Sequence, residues 1–253
     1  MKVALITGAT RNTGLAIARR FAAEGYAVAI TSRDAASAKE AAETLAKEYA
    51  VPTRGYEMHP SCVESIRKTF DLLSQDFGRL DVFVANSAHL GVGYTLLDTT
   101  EEEYDAVADA NIKGTFFCCQ NAAQLMQRSG GGAIVTIGSV QGTGGLHGRT
   151  VYGITKAALS MLVRHMAYEL GQYHIRANNV IAGAVHSNRW DVLSSEEIAD
   201  RRKKYPVGRE STEEEIANAV WFLASDQSAS ITGTDLTVDS GLTACLLPYT
   251  KKE

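Results

Sequence analysis

Short apolar runs alternate along this chain with longer stretches in which apolar residues recur every three or four positions. The runs predict strands near residues 2–6, 27–31, 53–58, 81–85, 133–138, 176–181 and 235–238. The stretches predict helices near 13–24, 35–48, 63–77, 101–128, 151–172, 194–203 and 212–224. Strands that alternate with helices along the chain predict an α/β fold. Its core is a doubly wound parallel sheet of about seven strands, covered on both faces. Pro52, Pro60, Pro206 and Pro248 all fall at expected boundaries or loops, where a missing N–H does no harm. No linker, repeat or low-complexity tract interrupts the pattern, so one domain over residues 1–253 is expected.

Composition narrows the class. The chain has 253 residues, 45% hydrophobic and 21% charged, which is ordinary globular usage. A net charge of −4, with Arg201-Arg202-Lys203-Lys204 as its one basic run, argues against nucleic acid. That quartet is read as the solvated face of a helix. No apolar stretch is long enough for a membrane helix, and the run after Lys2 is too short for a secretory leader. Cys62, Cys118, Cys119 and Cys245 form no C-x-x-C pair and read as reduced thiols of a cytoplasmic protein. No metal site is expected, because Cys and His never fall at ligand spacing.

Candidate chemistry begins with Tyr152-Gly153-Ile154-Thr155-Lys156. On a helix, residues four apart share a face, so an ammonium lies beside a phenol. The cation favours the phenolate, and a tyrosine so placed can give a proton to a carbonyl oxygen or take one from an alcohol. Ser139 stands just past the strand near 133–138, where open parallel sheets place ligands, and can donate to a substrate oxygen. At the N-terminus a strand, the turn Thr7-Gly8-Ala9-Thr10-Arg11-Asn12-Thr13-Gly14 and a helix follow in order. That arrangement turns backbone N–H groups and a helix N-terminus toward a pyrophosphate.

Together these pieces resemble the short-chain dehydrogenase/reductase (SDR) family, from Val3 to about Gly241. Further matches are Ala85-Asn86-Ser87-Ala88, Asn111 in Asn111-Ile112-Lys113-Gly114, Asn179-Val180-Ile181-Ala182-Gly183 and Asp239-Ser240-Gly241. The resemblance implies a Rossmann-type fold and hydride exchange between a nicotinamide dinucleotide and a carbonyl or secondary alcohol. It implies proton transfer by Tyr152, a hold on the carbonyl oxygen by Ser139, and a hold on the nicotinamide ribose by Lys156. It also implies a water fixed by Asn111. Gly8, Thr10, Arg11, Asn12, Thr13, Gly14 and Asn86 would surround the cofactor, with Val185 and Ser187 at its carboxamide. Residues 183–208 would form a lid over substrate.

The dinucleotide can be narrowed. Ser32 stands where the family places the acid that grips the ribose hydroxyls of NAD, and Arg33 follows it. Arg11 and Arg33 suit a 2′-phosphate, so NADP(H) is expected. Asp34 is one residue late for the ribose and better placed as a helix N-cap. There are departures from the family pattern. Asn12 replaces a glycine, His59 an aspartate at the adenine, and Ala182 a proline; Ser87-Ala88 replaces Ala-Gly. Asn tolerates left-handed backbone angles. His59 either accepts from adenine or ends its strand in solvent.

His89, Tyr94, Gln141, His147, Thr150, Arg189 and Trp190 are pocket candidates, with His89, Gln141 and Trp190 foremost. Their polarity favours a polar or hydroxylated carbonyl substrate. A 3-oxoacyl thioester is the nearest rival substrate. A halohydrin dehalogenase-like lyase is disfavoured by Lys156, where such proteins carry Arg. A non-catalytic dinucleotide sensor is disfavoured by the intact Asn111, Ser139, Tyr152 and Lys156. A homotetramer is expected. One seam would use Phe116, Phe117, Cys118 and Cys119 with Leu159, Leu162 and Met166. A second would use Leu246, Leu247 and Tyr249.

Overall fold

The computed structural model describes residues 1–188 and 190–245. Arg189 and the apolar tail with Leu246, Leu247 and Tyr249 lie outside the described residues. Seven parallel strands form one sheet: β1 (Val3–Ile6), β2 (Ala27–Ser32), β3 (Thr53–Glu57), β4 (Val82–Ala85), β5 (Gly132–Ser139), β6 (Ile175–Ala182) and β7 (Asp235–Val238). Their order is β3-β2-β1-β4-β5-β6-β7. The register sets Leu5 beside Ala29 and Phe83, and Ser139 beside Ala182.

The period-2 pleat sends alternate residues of each strand into two separate cores. From β1, Ala4 and Ile6 join one core, while Val3 and Leu5 join the other. The first core is completed by Ile17 and Phe21 of α1 (Asn12–Ala23), Leu45 of α2 (Ala35–Tyr49), and Ile216 and Val220 of α8 (Glu213–Ala224). The second takes Phe70 of α3 (Val63–Phe77), Cys118, Cys119 and Leu125 of α5 (Gly114–Ser129), and Val163 and Met166 of α6 (Thr150–Leu170). Burial on both faces explains why the central strands β1 and β4 are apolar throughout, while the edge strand β3 carries exposed Arg54 and Glu57.

Two expectations change. The helix near 101–128 is not continuous: α4 (Glu101–Ala108) and α5 are joined by a π-helical turn, Asp109–Lys113, which contains Asn111. The apolar surplus assigned to an oligomer seam is partly core, since Cys118, Cys119, Leu159 and Met166 are buried. Burial pushes the Cys118 thiol up to about 12, so it stays protonated.

Chain order reverses between β1 and β4. β1 leads outward to β2 and β3, β4 to the other half of the sheet. The carboxyl ends of these two strands open on the crevice where such folds take ligands.

Candidate active site

At that crevice lies a cleft of about 1770 Å³. The residues expected to surround the cofactor line it, as do Ser139, His89, Gln141 and Trp190, with Asn111 lying behind its wall. Tyr94, His147 and Thr150 do not line it. Tyr94 pairs with Arg149, and its carbonyl accepts from the Thr150 N–H, so both are engaged in tying the loop before α4 to the start of α6. His147 is exposed.

The glycine turn forms one end. Gly8 and Asn12 both have positive φ, 62° and 50°. Asn12 thus adopts the left-handed backbone otherwise left to glycine. A Cβ on Gly14 would overlap the Gly8 carbonyl and the Asn86 side chain, so α1 can approach only through a glycine there. Asn86 fixes the turn by donating from Nδ2 to the Thr7 and Gly8 carbonyls, at 2.9 and 3.1 Å. Arg11 at the N-cap of α1 makes no side-chain capping bond, and the first turn carries no acid. The first N–H groups of α1 therefore keep their positive end for an anion, as a dinucleotide pyrophosphate requires.

Ser32 and Arg33 at the tip of β2 and His59 beyond β3 line the other end of the cleft. Asp34 is engaged elsewhere. Its Oδ1 accepts from Ser37 N and Oγ, at 2.7 and 2.5 Å, which caps α2 and lowers its pKa. His59 is half-exposed with Nε2 3.1 Å from Glu57 Oε1.

Tyr152 and Lys156 lie on α6, with Lys156 Nζ 5.5 Å from the centre of the phenol ring. Lys156 is buried and donates to the Ile137 carbonyl at 2.7 Å. Burial lowers its pKa from 10.5 to about 8, so it is still mainly an ammonium at neutral pH. Ser139, at the tip of β5, accepts from the Gln141 N–H at 3.2 Å, and its hydroxyl proton can still turn to another acceptor. Asn111 clamps the wall. Its Oδ1 accepts from His89 N at 2.7 Å, while Nδ2 donates to His89 O and Thr155 Oγ1, at 2.9 and 3.1 Å. Both amide hydrogens are engaged, so a water held by Asn111 would meet its acceptor atoms.

Val185, Ser187 and Trp190 form the opposite wall, with Trp190 only 6% exposed. Several residues here escaped the sequence. Arg149 lines the cleft, donates to the Leu90 carbonyl at 2.6 Å and sets its guanidinium 5.6 Å from the Tyr152 ring centre. Its position one helical turn before Tyr152 was the available signal. The basic quartet is not simply a solvated face: Arg201 lines the cleft and Arg202 grips buried Glu210.

Fold and cleft define a dinucleotide-binding oxidoreductase. The chain belongs to the short-chain dehydrogenase/reductase family: residues 8–243 match the family model described as Enoyl-(Acyl carrier protein) reductase. It is 35% identical over 241 residues to the 3-oxoacyl-[acyl-carrier-protein] reductase FabG of Aquifex aeolicus, covering 95% of this chain and 97% of the relative. A short-chain type dehydrogenase/reductase from Mycobacterium marinum superposes with a TM-score of 0.89 at 30% identity, covering 96% of both chains. An NAD+-bound xylitol dehydrogenase superposes with a TM-score of 0.88 at 28% identity, covering 95% of this chain and 98% of that one. The protein is accordingly an enzyme that interconverts a carbonyl and an alcohol with a nicotinamide dinucleotide.

Proposed function

We propose that this enzyme uses NADP(H) and reduces a polar carbonyl substrate with Tyr152 as proton donor. The observation that carries the cofactor choice is the tip of β2. Asp34, the carboxylate next along the chain, is engaged at the cap of α2 through Oδ1, while Arg11 and Arg33 line the cleft. Two guanidinium groups can hold a 2′-phosphate; two ribose hydroxyls would leave them without a matching anion. The bound dinucleotide supplies the hydride. Ser139 holds the substrate oxygen, and Tyr152 gives it a proton. Lys156 holds the nicotinamide ribose and lowers the cost of the tyrosinate left behind. Asn111 holds the wall that backs them.

Titration with NADPH and NADH tests the cofactor choice. NADPH should bind more tightly, and Arg33→Ala should weaken NADPH by about ten- to hundredfold, the worth of a charge-assisted contact, with NADH unchanged. Equal weakening of both would assign Arg33 a structural part and remove the argument.

A second reading of the substrate has a specific support. Similarity to the Aquifex aeolicus reductase over nearly the whole chain favours a 3-oxoacyl thioester. A panel holding 3-oxoacyl thioesters, ketoses and β-keto esters separates the two by relative kcat/KM. On the same footing we place the protein in the cytoplasm as one domain, with residues 183–208 as a lid and no nucleic-acid or membrane partner. Among the described residues no helix is long and apolar enough to cross a membrane. We also propose a homotetramer, in which α6 buries the exposed row Ile154, Met161 and Tyr168.

A further inference from the structure

The wall of the cleft that carries Val185, Ser187 and Trp190 is fastened to a single buried carboxylate. Glu210 is 3% exposed and precedes α8. Its Oε2 accepts from Arg202 Nε at 2.8 Å, and its Oε1 accepts from Arg202 Nη2 at 2.7 Å. The same Oε1 lies 2.8 Å from His186 Nδ1. Arg202 holds the Glu210 carboxyl down at about 2, so it is an acceptor only, and His186 must present Nδ1–H to it.

These contacts close a ring. His186 stacks on Trp190 at 5.7 Å and 30°. Arg201 sets its guanidinium 5.7 Å from the Trp190 ring centre. Arg202, the next residue on α7 (Ser195–Arg202), returns to Glu210. The backbone beneath is fastened at the same place. His186 N donates to Ser211 O at 2.8 Å, Ser211 N donates to Ala184 O at 3.1 Å, and Val185 pairs with Ser211. Both ends of the segment from His186 to Arg202 therefore meet on one side chain.

We propose that Glu210 is the positioning residue for this wall, setting Val185 and Ser187 against the nicotinamide end of the cofactor and Trp190 against the substrate. The inference rests on the reading of the cleft as an NADP(H) site. Glu210 does not face the cleft and touches no reacting group; it acts through His186 and Arg202. Its loss should be felt at one end of the dinucleotide only.

The test compares two probes, NADPH and 2′-phospho-ADP-ribose, which lacks the nicotinamide. Dissociation constants are read by fluorescence titration on Glu210→Gln and His186→Ala, the second of which leaves the Arg202–Glu210 pair intact. In both variants NADPH should weaken by about tenfold, the worth of a lost charge-assisted hydrogen bond, and 2′-phospho-ADP-ribose should be unchanged. Turnover should fall by about tenfold to a hundredfold, as a displaced reacting pair does. Equal weakening of the two probes, or no change in either, would overturn the proposal. Failure of the parent reading looks different: the wild type would then bind neither probe. A wild type that prefers NADH is tested in the same way with NADH and ADP-ribose.

Discussion

At the scale of the residue, the decisive fact is the burial of Lys156. An ammonium that donates to the Ile137 carbonyl in a desolvated pocket loses its proton near pH 8 rather than 10.5. In the proposed mechanism it is charged below that pH and supports the tyrosinate of Tyr152; above it that support is gone. The rate of carbonyl reduction should therefore fall as pH rises past about 8. Lys156→Arg, which keeps its charge through this range, should move the falling limb to higher pH even where its maximum rate is lower. A limb unmoved in that variant would assign it to another group. The sign for stability is opposite. Between about 8 and 10.5 the unfolded chain holds a proton that the folded chain has released, so stability rises with pH in that window. The pairing of Tyr152 with Lys156 was legible because it depends only on helical spacing. The Glu210 ring was not legible, since His186, Trp190, Arg202 and Glu210 share no helix or strand and meet only when the stretch from 186 to 210 folds back on itself.

Elements were the most legible level, and the reasons are physical. Strands buried on both faces, such as β5, leave a continuous apolar run bounded by glycines, and α3 ends at Gly78 with positive φ, as a helix stop should. The π-helical turn at Asp109–Lys113 left no trace, because widening the hydrogen-bond ladder changes no residue type and the apolar period runs on through it. The expected seam is partly core because α5 packs against both the sheet and its neighbour α3, so adjacent Cys118 and Cys119 are both covered. Asp34 gives a prediction at this scale. If its carboxylate serves α2 and not a ribose, Asp34→Ala should lower the thermal midpoint and leave NADH affinity unchanged. A selective loss of NADH binding would return Asp34 to the cofactor.

For the whole molecule, the exposed apolar row on α6 matters most. Ile154, Met161 and Tyr168 recur every seventh residue at 52%, 54% and 90% exposure, with Phe116 of α5 at 46%. A row of this kind suits a two-fold seam between copies. Light scattering on a sizing column should give a multiple of the 27.2 kDa chain mass, and Met161→Glu should lower it. A wild type of single-chain mass would refute the assembly. The central claim, that the cleft reduces a carbonyl with Tyr152 as proton donor, is tested most directly by one comparison. NADPH oxidation with the best carbonyl of the panel is followed for wild type and Tyr152→Phe, with cofactor affinity measured on both. The variant should bind NADPH as the wild type does and lose at least about a hundredfold in kcat, the lower range for general acid catalysis. Turnover at the wild-type rate would contradict the account.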